Sequence, residues 1–385
     1  MKRNFVTISI YYCLIFMSAG AYGSYIGLYY TDVGFDTSQI GTLSTLSAVM
    51  AILVQPYWGL IGDRAQYKNN VLVICTLVTG LSIWLVPLSG DHFGILIGAT
   101  LLITVFQCAI FPMSTTVTLE IASKNNFKFS SVRTFGSVGF ALMSFLSGWI
   151  IKYDLIYIFV MYSSLMLLTL ALTPFIPKVK GHQRDGKKLN MRVLFKNRKL
   201  VHMFLYAMFI QATISFYFSF QAIYSIEQGI GTGLIGLGLL IGSVSQFPFM
   251  IFFDKLYNTF GITKILLVAG IVQAVRMVLF AYVLSPGTIL LLWVLHGGTV
   301  ILMTLSLMEY VNDSVVPELR ASGQMLNAIV MQGMATIVGS LAGGILASFA
   351  GLRTTFVIYS GVCAAVVIWF WLSVRTSAAF RQASQ

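Results

Sequence analysis

The chain has 385 residues, of which 57% are hydrophobic and 9% are charged. Soluble domains average about 25% charged residues, so this composition excludes an ordinary soluble fold. The net charge of +12 would suit a nucleic-acid partner in a soluble protein. Here the Lys and Arg residues cluster in alternate loops between apolar stretches, which is the pattern that orients membrane proteins, and no nucleic-acid partner is expected.

Apolar stretches long enough to cross the hydrocarbon core, about 20 residues each, recur along the chain. The first, Thr7 to Tyr30, follows Lys2 and Arg3 and is too long for a cleaved signal peptide. The hydropathy pattern predicts twelve transmembrane helices, at 7–31, 38–61, 70–89, 92–118, 129–151, 155–176, 200–226, 231–253, 262–284, 287–311, 323–347 and 352–375. The positive loops predict an inner (plasma) membrane protein with both termini in the cytoplasm.

One long polar segment divides the predicted helices into two sets of six. It gives an N-terminal bundle (1–177), a basic cytoplasmic linker (178–199) and a C-terminal bundle (200–385). A weak internal repeat supports the division, because Asp63 after helix two is matched by Asp254 after helix eight. The expected fold is therefore an all-α integral membrane protein of two pseudo-symmetric six-helix bundles, with a solute site at the midplane between them.

The segment GLIGDRAQYK, Gly59 to Lys68, forms the predicted loop after helix two. It resembles the loop signature of the major facilitator superfamily, and the resemblance implies a role in gating. On this reading Gly62 permits a tight turn, Asp63 is a helix-end charge, and Arg64 and Lys68 face the cytoplasm, with Asp254 as the counterpart in the second half. The alternative is an ordinary charged turn that follows the positive-inside rule.

Three further stretches carry a closer resemblance. They are FKFSSVRTFGSVGFA (127–141), QAVRMVLF around Arg276 and VLHGGTV around His296. They resemble helices five, nine and ten of the lactose-permease-like and phenylpropionate-permease-like branch, the oligosaccharide:proton symporters. The resemblance implies that Arg133 binds substrate, that Phe140 stacks against it, and that Arg276 and His296 take part in coupling.

Three acids of that branch are absent from the matching positions. They are replaced by Thr115, by Ser243 or Gln246 depending on the register, and by Thr299. No acid lies at the midplane of a predicted helix, and Glu309 and Glu120 come nearest. Each is expected to pair with a loop Lys or Arg, since intramembrane acids usually pair. If protons are coupled, Glu309 and His296 are the candidates.

Arg276 is the strongest single indication of a functional site. A guanidinium halfway along a span costs several kcal/mol unless it faces a wet cavity or a partner. The alternative is a structural role, with hydrogen bonds to Gln246 or Gln273. Arg133 lies nearer the helix end and could instead extend to the interface, and His296 could be a neutral core residue.

Polar and aromatic residues recur on predicted helices one, four, seven and eleven. They would suit a cavity that binds a hydroxylated or aromatic solute, although hydrogen bonding between helices explains such residues equally well. The candidates for substrate binding are Tyr25, Gln221, Arg133, Phe140, Thr115, Arg276 and Gln246.

No phosphate-binding glycine loop and no nucleophile with a base occurs, so an enzyme is not expected. No metal-ligand spacing is present, and Cys13, Cys75, Cys108 and Cys363 are unpaired in apolar spans, so neither metal, cofactor nor disulfide is expected. The predicted function is secondary transport of a sugar, nucleoside or aromatic carboxylate by a monomer, with a proton or by facilitated diffusion. Export of a metabolite or drug-like compound, a membrane receptor and a lipid flippase remain alternatives.

Overall fold

The computed structural model of the protein describes residues 2–125, 127–180, 198–282, 285–315 and 320–376. Most of the predicted linker (178–199) lies outside these residues. The first half contains α1 (Lys2–Tyr22), α2 (Ile26–Val33), α3 (Thr37–Arg64), α4 (Lys68–Ser82), α5 (Leu85–Leu88), α6 (Phe93–Lys124), α7 (Phe129–Ile150) and α8 (Tyr157–Leu172), followed by a 3₁₀ turn (Thr173–Phe175).

The second half contains α9 (Arg198–Glu227), α10 (Thr232–Val244), α11 (Gln246–Tyr282), α12 (Pro286–Ser314) and α13 (Arg320–Ala328). Two π-helical turns, Ile329–Met334 and Ile337–Ala342, then lead into α14 (Gly343–Thr376). Such π turns are rare and frequently occur at functional sites.

The described helices supply the twelve predicted crossings. Nine segments are long and apolar enough to cross a membrane, and two of these, Thr232–Tyr282 and Leu326–Arg375, extend over 51 and 50 residues. Each of the two contains a pair of crossings, because Gly261 (φ 72°) and Gly351 (φ 78°) adopt a left-handed conformation and turn the chain back. The 22 residues of α7 form the remaining crossing.

Several crossings are less regular than the hydropathy pattern predicts. The first was expected to be one helix over 7–31, but it is interrupted by a turn at 23–25 between α1 and α2. The predicted end of helix eight at 253 is wrong, since α11 continues unbroken to Gly261. Asp254 is therefore an exposed residue within a helix and does not follow a helix end.

Glycines bring the helices of the first and last six crossings into close contact at one end of the bundle. A Cβ placed on Gly148 of α7 would lie 2.8 Å from the Tyr25 hydroxyl and 3.1 Å from the Cα of Gly236. A Cβ on Gly344 would likewise lie 3.1 Å from the Cα of Gly41, and the Thr37 hydroxyl donates to the Gly344 carbonyl over 3.1 Å. These contacts lie at the end opposite to the start of α1 and the end of α14, and they join the two halves there.

Candidate functional site

A cavity of about 130 Å³ lies where the interrupted first crossing meets α3 and α9. Its polar wall is made of small or hydroxylated residues: Gly23, Ser24, Gly27, Tyr30, Ser44 and Ser219. Ile26, Ile40, Phe218 and Ala222 complete the lining, so no charged side chain belongs to it. The cavity can therefore offer hydrogen bonds and apolar surface to a neutral solute.

The interruption of the first crossing helps to form this cavity. Gly23 and Ser24 lie in the turn between α1 and α2 and also line the cavity. Transporter sites are commonly built at such breaks, because the freed backbone groups face the site. The Ser219 hydroxyl on the opposite wall shares a hydrogen bond of 2.9 Å with Ser340, so the wall joins α9 to a π-helical turn.

Tyr25 and Gln221, two predicted binding residues, lie near this cavity and do not line it. Tyr25 is fully buried, and its hydroxyl donates to the Ser144 carbonyl over 2.6 Å, which ties the first crossing to α7. Gln221 is 1% exposed, and its Nε2 has no partner among the described residues. A binding role for either residue stays a prediction.

The predicted sugar-binding residues of the first half lie on α6 and α7. The Thr115 hydroxyl is 3.1 Å from the Tyr12 hydroxyl of α1, and the Tyr12 ring makes an edge contact with Phe129 at 6.0 Å. Arg133 follows Phe129 by one turn and is exposed, and Phe140 is partly buried. The structure records no direct contact among Arg133, Thr115 and Phe140, and their binding roles stay predictions.

Arg276 of α11 is fully buried inside the second half. Its Nη2 donates to Gln273 Oε1 over 2.8 Å, and Gln273 Nε2 donates to the Thr213 hydroxyl over 3.0 Å. The guanidinium carbon lies 4.2 Å from the ring centroid of Tyr217. Gln273, and not Gln246, is therefore the amide that hydrogen-bonds to Arg276.

His296 of α12 packs onto the same tyrosine. The two rings are stacked with their centroids 5.6 Å apart, and His296 makes edge contacts with Trp293 at 5.1 Å and Phe218 at 4.8 Å. Only 2% of His296 is exposed. The sequence predicted the two basic residues, but it gave no sign that both contact Tyr217.

Other predicted residues lie apart from this cluster. Gln246 begins α11 and is partly buried, with no recorded contact to Arg276. Glu309 is partly buried on α12, one turn before Asp313, whose carboxylate accepts a hydrogen bond of 2.5 Å from the Tyr257 hydroxyl. Proton coupling through Glu309 and His296 stays a prediction.

The predicted gating loop needs two corrections. Gly62 does not form a turn, because it lies within α3 and is buried against Met113 of α6, where a Cβ would overlap the Met113 side chain. Lys68 does not face solvent: 4% of its side chain is exposed, and its Nζ lies 2.6 Å from Glu120 and 3.8 Å from Asp63. The predicted pairing of Glu120 with a loop cation is confirmed, and Arg64 is exposed as expected.

The start of α4 is hydrogen-bonded to residues 177–179, which follow α8. The Lys68 backbone N–H donates to the Val179 carbonyl over 2.8 Å, and the Val179 N–H donates to the Asn69 side chain over 2.9 Å. Asn69 also donates to the Pro177 carbonyl over 3.3 Å. Residues 177–179 are thereby fixed to the first residues of α4, a contact that the sequence did not indicate.

Comparison with known proteins agrees with this architecture. The model of the MFS_1 like family matches residues 5–358. The chain is 24% identical over 369 residues to the uncharacterized transporter YwbF of Bacillus subtilis (strain 168), covering 93% of this chain and 90% of the relative. It is 24% identical over 340 residues to the maltose permease of Geobacillus stearothermophilus, covering 88% of this chain and 86% of the relative.

A crystal structure of the nucleoside transporter NupG superposes with a TM-score of 0.86 at 16% identity, covering 98% of this chain and 100% of that one. This similarity shows the fold. The family match extends over most of the chain and includes the interrupted first crossing, the Lys68 loop and the Arg276 cluster. The chain belongs to the MFS_1 like family, within the major facilitator superfamily.

Proposed function

We propose that the protein is a secondary transporter of a small neutral, hydroxylated solute of the sugar or nucleoside class. The observation that carries this proposal is the cavity at the interface between the two halves, whose lining offers hydroxyl groups and aromatic surface without a charge. Hydroxylated solutes are bound by such groups, because each hydroxyl needs a hydrogen-bond partner when it leaves water. A cationic solute would lack a counter-charge there.

The relatives support the same substrate class. They include a maltose permease and a nucleoside transporter, and both names describe hydroxylated solutes. Sugars and nucleosides both carry hydroxyl groups on a sugar ring, and the cavity would bind that ring. The aromatic residues Tyr30 and Phe218 of the lining would pack against the apolar face of the ring.

Alternating access is the proposed mechanism, with residues 1–177 and 200–385 as the two moving bundles and 178–199 as the linker. The glycine contacts that join Gly148 to Gly236 and Gly41 to Gly344 close one end of the cavity. Because the positive loops predict cytoplasmic termini, this closed end would be the periplasmic one. The structure would then represent an inward-facing state of a transporter that works as a monomer.

In this state we propose that Arg133, Phe140 and Thr115 line the path between the cavity and the cytoplasm. Arg133 is exposed on α7, at the end of the bundle that carries the chain termini. Coupling to a proton through His296 and Glu309 is the accompanying proposal, and a pH gradient imposed across the membrane would test it.

The proposal is tested by uptake into proteoliposomes of purified protein, using radiolabelled maltose, sucrose, uridine, benzoate and a cationic dye. Uptake of a sugar or nucleoside is expected, and Ser44→Trp should abolish it because the indole would fill the cavity. Ser348→Trp, an exposed serine of α14, is the matched control and should retain uptake. Transport confined to benzoate or to the dye, or normal uptake by Ser44→Trp, would refute the proposed substrate class and site.

A further inference from the structure

The Arg276 cluster holds a buried positive charge without a negative partner. Arg276 is fully buried, and among the described residues it makes no ion pair with a carboxylate. Its one acceptor is the neutral amide oxygen of Gln273, at 2.8 Å. An uncompensated charge in a low-dielectric interior is costly, so buried charges in proteins are usually paired.

Several hydrogen-bonding atoms of this cluster are also without partners. Nε and Nη1 of Arg276, the Tyr217 hydroxyl and Nδ1 of His296 are all buried and have no acceptor or donor among the described residues. Two of these atoms are obligate donors, since a guanidinium has no acceptor, and the other two can donate. Buried polar groups are nearly always satisfied, so the cluster as a whole needs an acceptor.

Among the described residues, Gln273 supplies the one recorded acceptor of Arg276. The Tyr217 ring covers one face of the guanidinium at 4.2 Å, which leaves the in-plane N–H groups available. The Gln273 amide is held at its other end by Thr213 over 3.0 Å, and its oxygen accepts a hydrogen bond from Nη2 of Arg276. Gln273 therefore satisfies one nitrogen of Arg276 and leaves two.

We propose that the cluster of Arg276, Tyr217 and His296 binds a small inorganic monovalent anion, with chloride as the probe. One net positive charge matches one negative charge, and the unpaired N–H and O–H groups would supply its hydrogen bonds. Trp293 and Phe218 flank His296 and favour an anion that gives up its water readily. The carboxylate of a solute has the same charge, but each of the three residues is at most 2% exposed, which favours an ion over a larger molecule.

None of the three residues lines the solute cavity, and Phe218, which does line it, contacts His296 at 4.8 Å. The inference goes beyond the proposed function and holds whichever solute is carried. The anion would act as a resident counter-ion that makes the buried Arg276 tolerable. The expected consequence is a protein whose stability depends on the identity of the anion and not only on ionic strength.

The test measures thermal unfolding of the purified full-length protein in detergent, in sodium chloride, nitrate, acetate and gluconate at equal ionic strength. We expect chloride and nitrate to raise the melting temperature by a few degrees over gluconate, with saturation. Equilibrium dialysis with radiolabelled chloride should show one site per chain. Equal melting temperatures in all four salts, or stabilisation by acetate without chloride, would overturn the proposal.

Variants locate the site. Arg276→Gln should abolish chloride-dependent stabilisation, whereas Arg133→Gln, which alters an exposed arginine, should retain it in full. Tyr217→Phe keeps the ring and should weaken chloride binding about tenfold, because it loses one hydrogen bond to a charged group. If Arg276→Gln does not fold, Tyr217→Phe decides the question. Unchanged chloride affinity in Tyr217→Phe, or in a folded Arg276→Gln protein, would place the ion elsewhere and refute the inference.

Discussion

The guanidinium carbon of Arg276 lies 4.2 Å from the centroid of the Tyr217 ring, inside the C-terminal set of helices. Tyr217 belongs to α9 and Arg276 to α11, so this contact joins two crossings that are distant in sequence. The same ring stacks on His296 at 5.6 Å. One aromatic side chain thereby holds both basic residues that the sequence indicated.

The ring of Tyr217 is expected to contribute more to stability than its hydroxyl. Tyr217→Ala should lower the free energy of unfolding by about 3–5 kcal/mol, because a large buried aromatic is removed and the charge of Arg276 loses its cover. Tyr217→Phe should lower it by about 1 kcal/mol or less, since the ring is kept. Thermal unfolding in one chloride concentration compares the two, and equal losses would contradict a stacking role.

The Lys68–Glu120 pair should behave as a coupled unit. Its atoms are 2.6 Å apart, and the exposed fractions of the two side chains are 4% and 20%. Lys68→Met and Glu120→Gln should each destabilise the protein by about 2 kcal/mol, because each removes the short charged contact of a largely buried side chain. The double variant should lose less stability than the two single variants lose together, with a coupling energy of about 1–3 kcal/mol. Additive losses would show that the pair makes no net interaction.

Two neighbouring glycines of α3 should respond in opposite ways to the same substitution. Gly62→Ala should destabilise the protein, because its Cβ would overlap the side chain of Met113. A Cβ on Gly59 would meet no atom of another helix within 4 Å, so Gly59→Ala should stabilise α3 by up to about 1 kcal/mol through helix propensity. Met113→Ala should partly rescue Gly62→Ala. Without that rescue, the Gly62–Met113 contact is not the cause.

The glycine contact at the closed end should control the opening of the bundle. Gly148→Val should separate α7 from α10, because a side chain there would collide with the Tyr25 hydroxyl and Gly236. Gly98→Val on α6 is the matched control, because a Cβ there would meet no atom of another helix within 4 Å. Labelling of a cysteine introduced at Ser24 by a small membrane-impermeant maleimide, added from the periplasmic side, should increase in Gly148→Val and stay low in Gly98→Val. Equal labelling would show that this contact does not close the cavity.

The sequence alone determined the number of crossings. A helix in lipid must satisfy every backbone hydrogen bond internally, so each crossing is a long apolar segment that is visible in the composition. The sequence also indicated Arg276, because a charge placed within such a segment is costly wherever the helix packs. These properties depend on residues close together in the chain and on the thickness of the membrane, and they required no knowledge of the packing.

The tertiary structure decided which side chains meet. Ser24, Ser44 and Ser219 look like ordinary small residues of apolar segments, and only the approach of the first crossing to α3 and α9 brings them together around one cavity. Lys68 was expected in solvent and is buried, because Glu120 of another crossing faces it. Helix packing in lipid depends on close contact of small residues and on hydrogen bonds between helices. These contacts join residues that are far apart in the chain, and a single sequence does not show which of those residues meet.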